Sequence, residues 1–368
     1  MSISFQVFKR FLLVLTASLV LIAAQAMAQP SVPSPRAQAV FDFWTAERRA
    51  AVQPRDLVID QRGLGYLRHG DGSLEPYGHN IAAEKQPVAN KGKPTNSGNG
   101  GNTDGGGGGG KTKTVRNAEW TNGGTVQTAA GRILFAMGSS YYVCSGTVVN
   151  DGTSGRSIIL TAAHCVYDDE NKAFATNIMF IPDQADTNGS GTDFNCDNDP
   201  LGCWAPSYGV VDSNWTAAVF PNNIPWDYAY YVVSDSGAHS GTGGDGVLDS
   251  AALAMDISFA AATLGRYNHA LGYSYSDDPN FMYCAQDMGM EGYYGDYWLS
   301  SCSLSGGSSG GLWTQATTND LGTGPVISVN SWGYTGQPGM GGPSLSGNSA
   351  ECLFSEAKTV SANTTGCH

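Results

Sequence analysis

An all-β fold is predicted for residues 116–368. Runs rich in β-branched and aromatic residues recur at short intervals, at 133–137, 141–143, 158–160, 178–181, 228–233 and 326–329. Clusters of Gly, Asn, Asp and Ser separate them, the punctuation of short strands joined by turns. All eight cysteines (Cys144, Cys165, Cys196, Cys203, Cys284, Cys302, Cys352 and Cys367) fall in this segment. An even number behind a secretory leader reads as disulfides, and no CxxC pair suggests a metal site.

The leader is residues 1–28: Lys9 and Arg10, an apolar run over 11–24, then Gln25 and the small-residue end Ala26, Met27, Ala28. The run is short for a membrane span, and the small residues suit cleavage before Gln29. No later segment is apolar enough to cross a bilayer, so a soluble, secreted protein is expected, extracellular or periplasmic. Residues 29–90 are richer in Pro and Arg, with a short helix predicted over 45–51; they are too few and too polar for a catalytic core. Residues 91–115 turn to Gly, Asn, Ser and Lys, including the glycine run 105–110, and read as a linker. Residues 1–115 hold 13 Lys/Arg and 8 Asp/Glu, whereas 116–368 hold 6 and 24, within a net charge of −13. A basic segment tethered to an acidic domain suggests a propeptide docked by charge; an unrelated basic extension is the alternative.

Chemistry concentrates in three stretches. Ser305, Gly306, Gly307, Ser308, Ser309, Gly310 and Gly311 form a turn in which small residues let main chain approach a substrate carbonyl. Ser309 is then a candidate nucleophile, with the amides of Gly307 and Ser309 aimed at an oxyanion; a flexible glycine linker is the other reading. His164 follows the apolar run ending at Leu160 and precedes Cys165, and an imidazole that titrates near neutrality suits a general base. Asp227 leads straight into the strand candidate 228–233 and could orient that histidine, although any single Asp is otherwise a solvated loop residue.

Together these residues resemble the trypsin/chymotrypsin-like serine proteases over roughly residues 117–335. The resemblance rests on Cys144, Ser145, Gly146 and Thr147, on Leu160 through Cys165, on Asp227, Tyr228 and Ala229, on the glycine-flanked Ser309, and on Ser331, Trp332 and Gly333. The order His, Asp, Ser also matches. It implies two six-stranded antiparallel β-barrels with the site in the cleft between them. It also implies His164 as base, Asp227 as its orienter, Ser309 as nucleophile, and Gly307 and Ser309 as oxyanion donors. The expected activity is a secreted serine endopeptidase without a cofactor, acting through an acyl-enzyme. Its expected partners are a protein or peptide substrate and its own propeptide, with no nucleic acid and, in the mature form, no membrane; a monomer is expected.

The resemblance places a bridge between Cys144 and Cys165. The other cysteines pair most simply as neighbours: Cys196 with Cys203, Cys284 with Cys302, Cys352 with Cys367. It also puts the walls of the specificity pocket at Ser303 to Ser305 and at Ser331, Trp332 and Gly333. Counting back from Ser309 puts Ser303 at the base, so a Lys or Arg guest is disfavoured and an apolar one expected. A glutamyl-endopeptidase-like enzyme is the alternative, against which Asn330 argues, standing where those relatives have His. One loop, with Asp186, Asn188, Ser190, Gly191 and Asp197, fits part of an EF-hand template. Its flanks carry Pro182 and Cys196 rather than helices, so a polar disulfide loop explains it as well, and no metal is expected.

Two departures from the family bear on activation. The residue before the nucleophile, usually Asp, is Ser308, and no Ile-Val-Gly-Gly start is present. Activation through a buried new amino terminus is therefore not expected; instead residues 29–90 restrain the enzyme until a cut near Lys111, Lys113 or Arg116. A catalytically inactive binding module would normally have lost one of the three residues, and a non-enzymatic secreted β-domain would leave their order unexplained.

Overall fold

A computed structural model describes residues 32–83, 113–243, 246–315, 317, 322–347 and 349–367. The leader and most of the linker lie outside the described residues. Every run read as a strand is one. Residues 133–137 lie in Ala130–Met137, 141–143 in Ser140–Val149, 158–160 in Arg156–Thr161, 178–181 in Thr176–Pro182 and 228–233 largely in Ala229–Ser234, while Val326–Val329 coincides with its prediction.

The fold is all-β with curled sheets in two halves. The first half is one antiparallel path running Thr176–Pro182, Ala130–Met137, Ser140–Val149, Arg156–Thr161, Ala229–Ser234 and Tyr208–Asp212. Ile133, Phe135, Val148, Ile159, Tyr230 and Val232 fill it. The second half rests on Tyr267–Gly272 paired with Met282–Asp287, on Leu312–Thr314 with Val326–Val329, and on Tyr297–Leu299 with Met340–Gly342. Ala270, Leu299, Trp313 and Ile327 are packed there.

Among the described residues the sheets contain ten, seven, five and two strands, and the segment 32–83 contributes one strand to the ten-stranded sheet and three to the seven-stranded one. Gln53–Pro54 pairs in parallel with Tyr142 and Val143 of the first half. Asp56–Ile59 pairs in parallel with Trp332–Tyr334 of the second, and Gly65–Arg68 and Leu74–Pro76 extend that sheet. Leu57 and Ile59 are fully buried in the main core. Ahead of them Ser34 caps, with its hydroxyl on the Ala37 amide, a helix Pro35–Phe43. That helix buries Ala37 and Val40 against Leu134, Val143 and Met179. The expected helix over 45–51 is present as Ala46–Ala50, whereas Pro35–Phe43 was not foreseen although the Ser34, Pro35 start signals it. The segment packs as part of both halves.

Four disulfides join Cys144 to Cys165, Cys196 to Cys203, Cys284 to Cys302 and Cys352 to Cys367, as expected. The first closes a span of 21 residues, and the chain-entropy estimate for such a loop is about 3 kcal/mol. Replacing Cys144 and Cys165 together with Ala should lower unfolding stability by about that amount, read as a shift of the urea midpoint with a steeper slope, because the unfolded chain is no longer cross-linked there. No shift would show that strand pairing alone holds this turn.

Candidate active site

The register of one strand pair brings two of the expected residues together. Ala229 lies opposite Thr161 in the antiparallel pairing of Ala229–Ser234 with Arg156–Thr161. The chain before the first strand and the chain after the second therefore emerge at the same edge. His164 sits in the 3₁₀ turn Ala163–Cys165 and Asp227 closes the turn Ile224–Trp226. The Asp227 carboxylate accepts the His164 main-chain N–H at 2.8 Å, and its Oδ2 lies 2.7 Å from His164 Nδ1. Ser331 donates its hydroxyl to the same oxygen at 2.5 Å. With Nδ1 held by the carboxylate, the lone pair of the neutral ring is at Nε2. Both residues are fully buried.

The third residue arrives from the second half on a turn braced by buried polar groups. The Gly310 amide donates to Asn330 O at 2.7 Å, and the Asn330 side-chain amide donates to Ser308 O at 3.0 Å and Leu271 O at 2.9 Å. Asn330 thus fixes the turn, a role that its position in the sequence did not reveal. Glycine at 310 is obligatory: its φ is +79°, and a Cβ there would stand 2.1 Å from Thr161 Oγ1. Ser309 Oγ does not engage His164, whose Nε2 has no hydrogen-bond partner. Instead it donates to the carbonyl oxygen of Arg55 at 3.4 Å. The amides of Gly307 and Ser309, on either side of the bonded Ser308 amide, donate to no group among the described residues. The Ser308 hydroxyl is taken up by Ser305 O at 2.8 Å.

Beneath this turn lies a buried ion pair that the motif search missed. The fully buried Arg132 pairs with Asp278, whose side chain is also fully buried, and its NH1 donates to Gly307 O at 2.9 Å. Ser145 donates its hydroxyl to the same oxygen at 2.9 Å. Two donors on the Gly307 carbonyl fix the peptide between Gly307 and Ser308, whose N–H goes to Ser305 O, and so anchor the middle of the turn. The peptides that carry the Gly307 and Ser309 amides are held at Gly306 O by the Tyr275 amide and at Ser308 O by the Asn330 side chain. The available signal was a lone arginine inside the otherwise apolar strand Ala130–Met137.

Residues 112–325 match the family model described as lysyl endopeptidase, C-terminal domain. The chain belongs to that family. It also resembles two solved structures. Protease Anisep from Arthrobacter nicotinovorans shares 25% identity with a TM-score of 0.52, over 66% of this chain and 99% of that one. The thermostable serine protease AL20 from an extremophilic microorganism shares 26% with a TM-score of 0.52, over 64% and 100%. No curated protein matches the sequence. This member of the lysyl endopeptidase family is thus a serine protease of chymotrypsin-like fold, a hydrolase acting on peptide bonds.

In this family member a cavity of about 650 Å³ opens at Gly306 of the Ser309 turn, lined by Tyr275, Ser303, Leu304, Ser305 and Gly333 together with Pro54 and Asp56 of the N-terminal segment. Ser303 and Gly333, two of the residues expected in the pocket wall, line this cavity. Ser331 and Trp332 do not line this cavity, because the Ser331 hydroxyl is engaged by Asp227 and the Trp332 indole donates to Asp296 Oδ2 at 2.8 Å. Asp56 is the lining acid, and it is paired with Arg68 at 2.7 Å.

Burial pushes the Asp296 carboxyl up to about 7, with the nearby Asp227 charge adding to the rise and the Trp332 hydrogen bond opposing it. A carboxyl raised on folding contributes stability that is fully present below its ordinary value and is lost as pH rises through about 7. Asp296→Asn, which still accepts the indole N–H, should therefore flatten the decline of Tm between about pH 4 and 7. A variant that declined as steeply as the parent over that range would show Asp296 to be ionised throughout.

Among the described residues, no three acidic, His or Cys ligand atoms of the EF-hand-like loop lie within 4.8 Å of one another. Asp193 there accepts the amides of Ser190 and Asn195 and the Asn198 side chain, as a polar turn does. No helix of the described residues is long and apolar enough to cross a membrane.

Proposed function

We propose that the protein is a secreted endopeptidase in which Ser309 attacks the scissile carbonyl, His164 takes and returns the proton, Asp227 orients His164, and the Gly307 and Ser309 amides hold the oxyanion. The observation that carries this reading is the Asp227 carboxylate bound to both Nδ1 and the main chain of His164, which leaves Nε2 free beside the Ser309 turn. The leader read over 1–28 and the four disulfides support secretion.

The form described is a latent one on this reading, with residues 29–90 as propeptide and 91–115 as the linker to be cut. Residues 53–59 run through the cleft from the first half to the second. Acylation needs Oγ on a carbonyl carbon with the oxygen on the amides of Gly307 and Ser309. Here Oγ meets the Arg55 oxygen and the amides stay empty, so the segment covers the site without being a substrate.

The residue accepted before the scissile bond is proposed to be apolar. Once residues 29–90 leave, the cavity loses Asp56 and keeps Leu304, Gly333 and Pro338. The name of the matched family concerns lysine, whose ammonium would need a carboxylate that the remaining wall lacks. A second reading, an acidic guest, is favoured by the Asp56 carboxylate at this cavity with Arg116 in the remaining wall. Profiling cleavage of a peptide library by the chain nicked between residues 84 and 112 tests all of this. Cuts after apolar residues are expected; cuts after Glu alone would favour the second reading. Labelling of a residue other than Ser309 by an active-site phosphonate would overturn the mechanism.

A further inference from the structure

One side chain of the N-terminal segment is bound more completely than blocking the cleft requires. Arg55 is only 2% exposed. Its Nε donates to His164 O at 2.8 Å and its NH2 to the Tyr77 hydroxyl at 2.7 Å. NH2 also lies 4.0 Å from Asp168 Oδ1, and the guanidinium carbon sits 5.2 Å and 5.3 Å from the ring centres of Tyr77 and Tyr142. A buried cation persists only where carboxylate, carbonyl and aromatic faces replace its water. The site is therefore complementary to a guanidinium in charge and in shape.

Most of its wall belongs to the protease rather than to the segment. Tyr142, His164, Asp168 and Asp169 remain when residues 29–90 leave, whereas Tyr77 goes with them. Asp168 is preset by the amides of Glu170 and Asn171 and by the Asn171 side chain. Asp169 is held by the Phe220 amide and the Asn223 side chain on Oδ2, while its Oδ1 takes the Tyr77 hydroxyl. Departure of the segment therefore strips Arg55 and Tyr77 from two fixed carboxylates and leaves a negative, prebuilt hollow.

Its place relative to Ser309 decides which part of a substrate would enter. The cavity of Ser303, Leu304 and Gly333 belongs to the second half. The Arg55 site is made by Tyr142, His164 and Asp168 of the first half; Pro54 and Asp56 line the cavity while Arg55 between them does not, and the Arg55 carbonyl meets the Ser309 hydroxyl. We propose that in the released enzyme this hollow is a subsite for a basic side chain on the leaving-group side of the scissile bond, with Asp168 as the residue that selects it. The inference rests on the proteolytic and latent reading above. It concerns a second determinant of substrate choice, independent of the cavity that takes the residue before the cut.

The test uses the full chain nicked between residues 84 and 112. Peptides with one common acyl side carry Arg, Lys, Ala or Glu at the first or second residue after the scissile bond, and rates are normalised to an ester with no amino acid there. At one of the two positions Arg and Lys should exceed Ala in kcat/KM by at least about tenfold, with Glu below Ala. Asp168→Asn should collapse the Arg-to-Ala ratio toward one. A synthetic peptide of residues 50–60 should inhibit the ester reaction, and its Arg55→Ala form should do so at least about tenfold more weakly. Ester hydrolysis with equal rates for Arg, Ala and Glu peptides overturns the subsite alone, as does a ratio untouched by Asp168→Asn. Absence of any ester hydrolysis overturns the proteolytic reading, and this inference with it.

Discussion

Ser309→Ala is expected to lower peptide hydrolysis by about four to six orders of magnitude while leaving folding intact, and His164→Ala to cost about as much. The two losses should not add, because the hydroxyl is useless without a base and the base without a hydroxyl. Asp227→Asn should cost about 10⁴ in kcat, since an amide in place of the carboxylate would present its N–H to Nδ1 and select the wrong tautomer. Ser308 is the competing nucleophile in sequence, but its hydroxyl is committed to Ser305 O. Ser308→Ala should therefore keep most of the activity. Single-turnover rates on an activated ester, with circular dichroism as the folding control, measure all four. Inactivity of Ser308→Ala alongside an active Ser309→Ala would move the nucleophile by one residue.

Arg132→Met should reduce kcat by about two to three orders of magnitude with little change in KM, the loss typical of a disabled oxyanion hole. The guanidinium holds the Gly307 carbonyl, the peptide that lies between the Gly307 and Ser309 amides along the turn, and those amides act on the oxyanion and not on the bound ground state. Removing one partner of a buried pair also costs about 3–5 kcal/mol of stability, because Asp278 is left uncompensated. The double variant Arg132→Met with Asp278→Asn separates the two effects: stability should recover in part and kcat should not. Recovery of both would reduce the pair to a packing feature. With Arg132 supplying the internal cation, no new amino terminus is needed at Ser308, and an extra, uncleavable tag ahead of Glu119 should leave this kcat unchanged. Residues Val115–Glu119 already form a strand against Met282–Asp287, so the start of the domain is held at a sheet edge.

The strands and the cysteine pairs were legible, and the three residues of the proposed site stand out, because each leaves a local mark. A buried strand needs β-branched and aromatic runs between turn residues, and the runs at 133–137 and 326–329 carry that pattern without any knowledge of their neighbours. Ser309 needs glycines because a Cβ at 310 would strike Thr161, and a requirement for glycine is written in the sequence wherever it holds. Other features have no local mark. Residues 29–90 read as too few and too polar for a catalytic core, yet the segment 32–83 buries Leu57, Ile59, Leu67 and Tyr77 in the main core. Its strands complete the edges of sheets formed more than eighty residues away, through main-chain hydrogen bonds that any sequence can make.

The same reason explains Arg55, Asn330 and the pairing of Arg132 with Asp278. Each is one polar residue whose meaning depends on which distant carbonyl, carboxylate or ring it meets. The sequence by itself determined the strands, the class of chemistry and which residues could perform it. Only the tertiary structure decided that Ser309 meets the Arg55 carbonyl instead of His164, that the oxyanion turn stands on a buried ion pair, and that Arg55 occupies a hollow lined by Asp168. Burial and hydrogen-bond partners arise from contacts between segments, and no spacing along the chain encodes them.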